Sequence, residues 1–229
     1  MLLRCRPTCL VALLLGLLCV SHVRATVPNA AEHSIEQFLA QDDTQRAYRA
    51  ARRLEAENGS RKGWIEAITE YSPGMGFRYA ITAEGGSGYI RSRVLKAVLD
   101  GERDVIAQGE TASSSLTPSN YTFQANGIDT DGLANVLLTP RRKERVLVSG
   151  MMALNPADGG LVRLQGRLAK SPSFWVKEVD IVRTYQRIDG TVVPVTLESK
   201  AQLRFLGEAA LRMTYVYSEI NGRPLASRH

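Results

Sequence analysis

From Val193 to Phe205, apolar or small side chains fall on every second position (Val193, Val195, Leu197, Ser199, Ala201, Leu203, Phe205), with Pro194, Thr196, Glu198, Lys200, Gln202 and Arg204 between them. That period of two is a strand with one apolar face. Taken from Val192, roughly 14 residues at about 3.3 Å each would reach about 46 Å, more than twice the usual strand, so the segment must coil around something. The flanking runs alternate in the same way. Trp175 to Ile188 precedes the turn Asp189-Gly190, and Ala209 to Ile220 follows Gly207-Glu208, with Ala209, Leu211, Met213, Tyr215 and Tyr217 on one face. Three antiparallel strands with a common apolar side therefore close the sequence.

Further upstream, Trp64 to Tyr71 and Phe77 to Glu84 alternate around Ser-Pro-Gly-Met-Gly and predict a first hairpin. Tyr121 to Ile128 pairs with Leu133 to Thr139 across Asp129-Thr-Asp131-Gly132, and Val146 to Leu154 pairs with Leu161 to Ala169 across Asn155 to Gly160. A different period governs Ile90, Val94, Leu95, Val98 and Leu99, which recur at helical spacing after Gly85-Gly86-Ser87-Gly88. Ala112 to Ser119 reads as a Ser/Thr/Pro linker. Residues 26 to 58 read as helix: Ile35, Phe38 and Leu39 mark a short first segment. Asp42 and Asp43 cap a second, with Ala47, Tyr48, Ala51 and Leu54 on one stripe and Arg46, Arg49, Arg52 and Arg53 on a solvated one. The prediction is nine strands, one or two helices before them and one inserted near 89–107. In domain terms this gives an N-terminal helical segment over 26–59 and a sheet domain over 60–225.

The first 25 residues stand apart. Arg4 and Arg6 precede the apolar run Leu10 to Val20, and Val23-Arg24-Ala25 offers a cleavage site, so residues 1–25 read as an export signal too short to span a membrane. All three cysteines (Cys5, Cys9, Cys19) lie within it, which suits a periplasmic chain without disulfides. Losing three arginines there lowers the net charge of +6 to about +3, an ordinary value for a single domain without nucleic-acid chemistry. No later apolar stretch is long enough for a transmembrane span.

The residues exclude more chemistry than they suggest. Past the signal, the histidines are His33 and His229, so neither a Ser-His nor a Cys-His pair has a base and zinc lacks its usual ligands. The glycine loop at 85–88 lacks the Lys-Ser/Thr of a phosphate-binding loop. Asp129 and Asp131 resemble part of a calcium loop but serve a turn as well. Asn58 and Asn120 head glycosylation sequons, and Arg141 to Arg145 is an exposed basic turn. We expect no enzyme activity, no cofactor and no bound metal.

Leu138-Thr139-Pro140-Arg141, the stretch Gly166-Arg-Leu-Ala-Lys-Ser-Pro-Ser-Phe-Trp175, Tyr185-Gln-Arg-Ile-Asp-Gly190 and Val193-Pro194 resemble the superfamily of periplasmic lipoprotein carriers and receptors of the Lol type. They resemble its outer-membrane lipoprotein-sorting relatives more closely. Phe77-Arg78-Tyr79 is similar to the carriers' Phe-Arg-Trp strand, while Gly86-Ser-Gly-Tyr-Ile90 departs from the signal expected next. The resemblance spans about residues 60 to 220. It implies an α+β fold: a strongly curved antiparallel sheet, an unclosed barrel, with helices covering a concave face that accepts acyl chains. The apolar alternation agrees, because such a face must be hidden and only the Ile35/Leu54 and Val94/Leu99 stripes could hide it. The candidate ligand-binding residues are Trp64, Phe77, Tyr79, Val179, Ile181, Val195, Leu197, Leu203, Leu211 and Met213. The expected partner is a lipid or a lipoprotein acyl chain. The alternative is a regulatory protein of the envelope that docks a protein partner through the sheet edge or the Arg141–Arg145 turn.

Overall fold

The computed structural model describes residues 30–41, 46–205 and 207–226. The export signal read in residues 1–25 and the capping role read for Asp42 and Asp43 lie outside the described residues. The described residues begin with helix α1 (Ala30–Leu39) and then form β1 (Tyr48–Asn58), β2 (Arg61–Ser72) and β3 (Gly76–Gly86). A long helix follows, α2, made of an α turn (Gly88–Ile90), a π turn (Arg91–Leu95) and an α segment (Lys96–Ala107). Seven strands come next: β4 (Tyr121–Ile128), β5 (Ala134–Pro140), β6 (Val148–Leu154), β7 (Leu161–Leu168), β8 (Val176–Ile188), β9 (Thr191–Leu203) and β10 (Gly207–Ile220). A two-residue strand, β11 (Arg223–Pro224), pairs with β10.

All described strands join one antiparallel sheet in the order β3-β2-β1-β10-β9-β8-β7-β6-β5-β4. β3 and β4 are its two edges and do not pair, so the barrel stays open. The segment between them, α2 and its following turn, carries the chain from one edge to the other. The architecture is α+β, a curved half-barrel whose helices lie on the concave side. Gly150 and Gly166 face each other across β6 and β7, and a Cβ at either would fall 2.1 and 2.3 Å from the carbonyl oxygens of Gln165 and Ser149. No larger residue fits there, and paired glycines let a sheet bend.

Tyr48–Asn58 corrects the sequence expectation, which places a helix there. Its residues Ala, Arg, Leu and Glu are good helix formers, yet burial alternates strictly, with Ala50, Arg52, Leu54 and Ala56 inward. β1 is the seam of the sheet, paired with β2 on one side and β10 on the other. Two full ladders of backbone hydrogen bonds outweigh a propensity difference of a few tenths of a kcal/mol per residue.

The register links one inward row across nine strands: Ile65, Leu54, Met213, Leu197, Arg183, Leu164, Met152, Val136 and Ala125. Its two ends belong to separate cores. Under α1, Ala31, Ile35 and Phe38 pack on Tyr121, Val136, Leu138, Met152 and Leu154. Under α2, Ile90, Leu95 and Leu99 pack on Leu54, Ile65, Ala67, Phe77 and Met213. Among the described residues no helix is long and apolar enough to cross a membrane.

Candidate functional site

The helices pack mainly along β1–β3 and β4–β6, and among the described residues β7, β8, β9 and β10 have at most slight contact with a helix, Met213 of β10 reaching the core under α2 and Leu164 of β7 the core under α1. The inward side chains of this middle stay half-exposed: Ile181, Ala201 and Leu203, with Leu197 and Leu211 at the margin of the α2 core and Val179 at 8%. Such a strip of apolar surface, flanked by two sealed cores, is a candidate ligand-binding face.

Of the residues expected to bind a ligand, Val179, Ile181, Leu197, Leu203 and Leu211 meet on this middle face. Phe77 and Met213 are packed in the core under α2. Tyr79 donates its hydroxyl to Asp100 of α2 at 2.7 Å. Val195 falls in the register irregularity where Tyr185 pairs with Pro194 instead. Trp64 turns outward: it pairs with Glu55 and lies under the Arg53 guanidinium at 4.6 Å.

The sequence reading passed over the polar centre of the inner face. Arg52 points inward from β1 with its side chain 2% exposed, and donates to Glu102 of α2 through Nη1 to Oε2 at 2.6 Å and Nη2 to Oε1 at 3.0 Å. The same Nη2 also reaches the Tyr48 hydroxyl at 2.5 Å. The guanidinium lies 4.6 Å from the Tyr215 ring and 5.1 Å from the Phe77 ring, a cation in an aromatic cage. Burial alone would lower the Arg52 pKa, but the Glu102 hydrogen bonds and charge raise it overall. Burial likewise pushes up the phenols of Tyr48, Tyr215 and Tyr217.

A second inward arginine, Arg183 on β8, interacts with Tyr185, Tyr215 and more distantly Glu102. Its pKa is raised, first by Tyr185, although enclosure by protein opposes this. Part of its surface is still open, as expected of a side chain lining a hollow. The period-two pattern contains the signal for both arginines: Ala50-Arg52-Leu54 and Ile181-Arg183-Tyr185 each put a cation on the apolar parity.

Two grooves open on the outer face. One, of about 850 Å³, runs over Leu137, Met151 and Val182, with Arg142 and Lys143 at its rim. The other, of about 510 Å³, includes Trp64, Glu55, Lys62 and Arg212. Their charged borders are partly matched, as in Lys62–Glu57 at 2.7 Å and Arg167–Asp180 at 2.9 Å. At one end of the sheet, Phe174, Trp175 and Phe205 form an exposed cluster with ring centroids 5.5 and 5.9 Å apart.

Other motifs have structural explanations. Asp129 Oδ1 accepts from the backbone N–H groups of Asp131 and Leu133 at 3.0 and 2.9 Å, which caps its own turn. Asn120 is buried, and its amide donates to the carbonyls of Ala112 and Ser115. Arg141 Nε donates to the Pro118 and Tyr121 carbonyls, so one cation of the basic turn braces the loop before β4.

The fold and the cation-bearing inner face define a half-barrel with an open middle. No family model matches the sequence, and no curated protein matches it either. Among solved structures, the chain is similar to a LolA superfamily protein from Nitrosomonas europaea, with 10% identity over 85% of this chain and 94% of that one and a TM-score of 0.46. It is also similar to a DUF1329 family protein from Desulfovibrio piger, with 8% identity over 87% and 93% and a TM-score of 0.39. A third similarity is to the Pseudomonas aeruginosa MucA/MucB complex, with 12% identity over 86% and 99% and a TM-score of 0.22.

Proposed function

We propose that this chain is an exported, non-enzymatic binding or carrier protein that holds a lipid or a lipoprotein acyl chain against the inner face of β8, β9 and β10. A role in outer-membrane lipoprotein sorting follows from that reading. One observation carries it: among the described residues the inner face is sealed by helices at both ends and left without one in the middle, where Ile181 and Leu203 stay half-exposed beside Leu197 and Leu211 at the margin of the α2 core. A protein built only to be stable would extend a helix or long side chains over that strip. The bidentate Arg52–Glu102 pair fixes α2 beside the strip, so a ligand could enter without α2 leaving the sheet. Native mass spectrometry and lipid extraction of protein purified from membranes test the reading. An amphiphile adduct supports it, whereas a clean unliganded spectrum together with no acyl-probe binding defeats it.

A second reading, a regulatory protein that docks a partner, is favoured by the basic turn at the rim of the 850 Å³ outer groove. Reversing the charge of Arg142 and Lys143 separates the two. A docking protein loses its partner, while an acyl carrier keeps its ligand.

A further inference from the structure

Arg183 is the one charged residue in an inward row whose other eight members are apolar, and it stands midway between the two sealed cores. Leu164 and Leu197 are its direct neighbours on β7 and β9. Its buried Nε donates to nothing, and the groups it interacts with are the Tyr185 and Tyr215 phenols and the charge of Glu102. The nearby carboxylate, Glu102, is already held by both Nη atoms of Arg52. Among the described residues Arg183 therefore forms no ion pair, whereas Arg52 holds Glu102. An enclosed charge without a counter-charge is strongly unfavourable, and buried donors without acceptors are rare in native proteins. Leucine or methionine would suit an apolar row better if packing alone decided the residue.

We propose that Arg183 receives the anionic end of a single-tailed amphiphile, a carboxylate or a phosphate, whose apolar tail lies along β8–β10. This rests on the acyl-binding reading above and specifies its chemistry. From Arg183 the inward side chains run through Ile181 and Val179 on β8, and through Ser199, Ala201 and Leu203 on β9, toward the exposed Trp175 and Phe205. The eight steps from Trp175 to Arg183 span about 26 Å of strand, enough for an extended tail with its head at the cation. A guanidinium binds both oxygens of a carboxylate or phosphate in a fork, which a lysine cannot match.

The test is displacement of a fluorescent fatty-acid probe from the purified protein by ligands of equal chain length: a fatty acid, its alcohol, and a lysophosphatidic acid, with inorganic phosphate alone as a fourth arm. The fatty acid or the lysophosphatidic acid should bind about tenfold or more tighter than the alcohol, and whichever leads identifies the head group. Arg183→Met should abolish this preference while still binding the alcohol, and Arg183→Lys should retain only part of it. Arg183→Met should also raise the unfolding temperature of the unliganded protein, because it removes an enclosed charge without an ion-pair partner among the described residues. Equal binding of acid and alcohol by the native protein overturns the proposal but leaves the acyl-binding reading standing. No displacement by any amphiphile defeats both. Displacement by phosphate alone as strong as by the amphiphiles overturns the single-tailed assignment, and a lower unfolding temperature in Arg183→Met shows a purely structural arginine.

Discussion

The two helices close the two ends of the sheet by different means. Under α1 the contact is mainly apolar: Phe38 meets Phe123 at 6.2 Å, and the buried Ser34 hydroxyl donates back to the Ala30 carbonyl of its own helix. Gly159 sits so close beneath α1 that a Cβ there would lie 2.6 Å from the Phe38 nitrogen. Under α2 the same kind of apolar contact, through Leu95 and Leu99, is fringed by ionic ties to the sheet. Glu102 holds Arg52, Asp100 accepts from Tyr79, and Arg91 and Lys96 meet Glu84. Apolar packing is indifferent to where charge lies, whereas an enclosed ion pair is sensitive to any change in either partner. The α1 end is therefore a fixed plug, and the α2 end is a fastening whose charge balance borders the open middle.

The strongest way to break that contrast is Glu102→Ala. It leaves the Arg52 side chain, 2% exposed, without its counter-charge, and should cost about 3–5 kcal/mol in urea unfolding. Arg52→Met should cost clearly less, below about 2 kcal/mol, because Glu102 is 31% exposed and water can solvate it. Equal losses in the two variants would mean that the pair acts as a surface tie.

Alkaline pH gives the next largest effect. Burial raises the phenol pKa values of Tyr48, Tyr215 and Tyr217 above the ordinary 10.0, so above that pH the unfolded chain gives up protons that the folded chain retains. Their contribution to stability is complete below pH 10.0 and declines as the pH rises through the raised values. Hydrogen exchange should show β1 and β10 loosening first, and phenolate absorbance should appear together with that loosening. The smallest effect belongs to the exposed tip. Phe205→Ser removes a side chain that is 74% exposed and should change stability by no more than about 0.5 kcal/mol in thermal unfolding.

Nine strands are legible in the alternation alone, because turn residues such as Asp189-Gly190 and Asn155 to Gly160 mark where each run ends. The same holds for α2, whose Ile90 to Leu99 spacing contrasts with the strands around it. β1 is hidden because its residues favour helix, and its inward series includes an arginine that reads as solvated. That one misreading also hides Arg52 and, with it, the polar centre of the inner face. Trp64 shows the converse error: its size suggests a pocket, but its parity places it with Glu55 and Arg53 outside. β11 has only two residues and leaves no pattern to read.

The open middle itself can be measured directly, since all cysteines of the sequence precede Thr26 and the sheet contains none. Single substitutions Ala201→Cys in the middle and Ala67→Cys under α2 place one thiol on each part of the same face. Ala201→Cys should react with a thiol reagent at close to the rate of an exposed cysteine and be shielded by an added fatty acid, while Ala67→Cys stays unreactive with or without it. An inert thiol at 201, or one that the fatty acid fails to shield, would show that the middle of the sheet is closed or does not hold a chain.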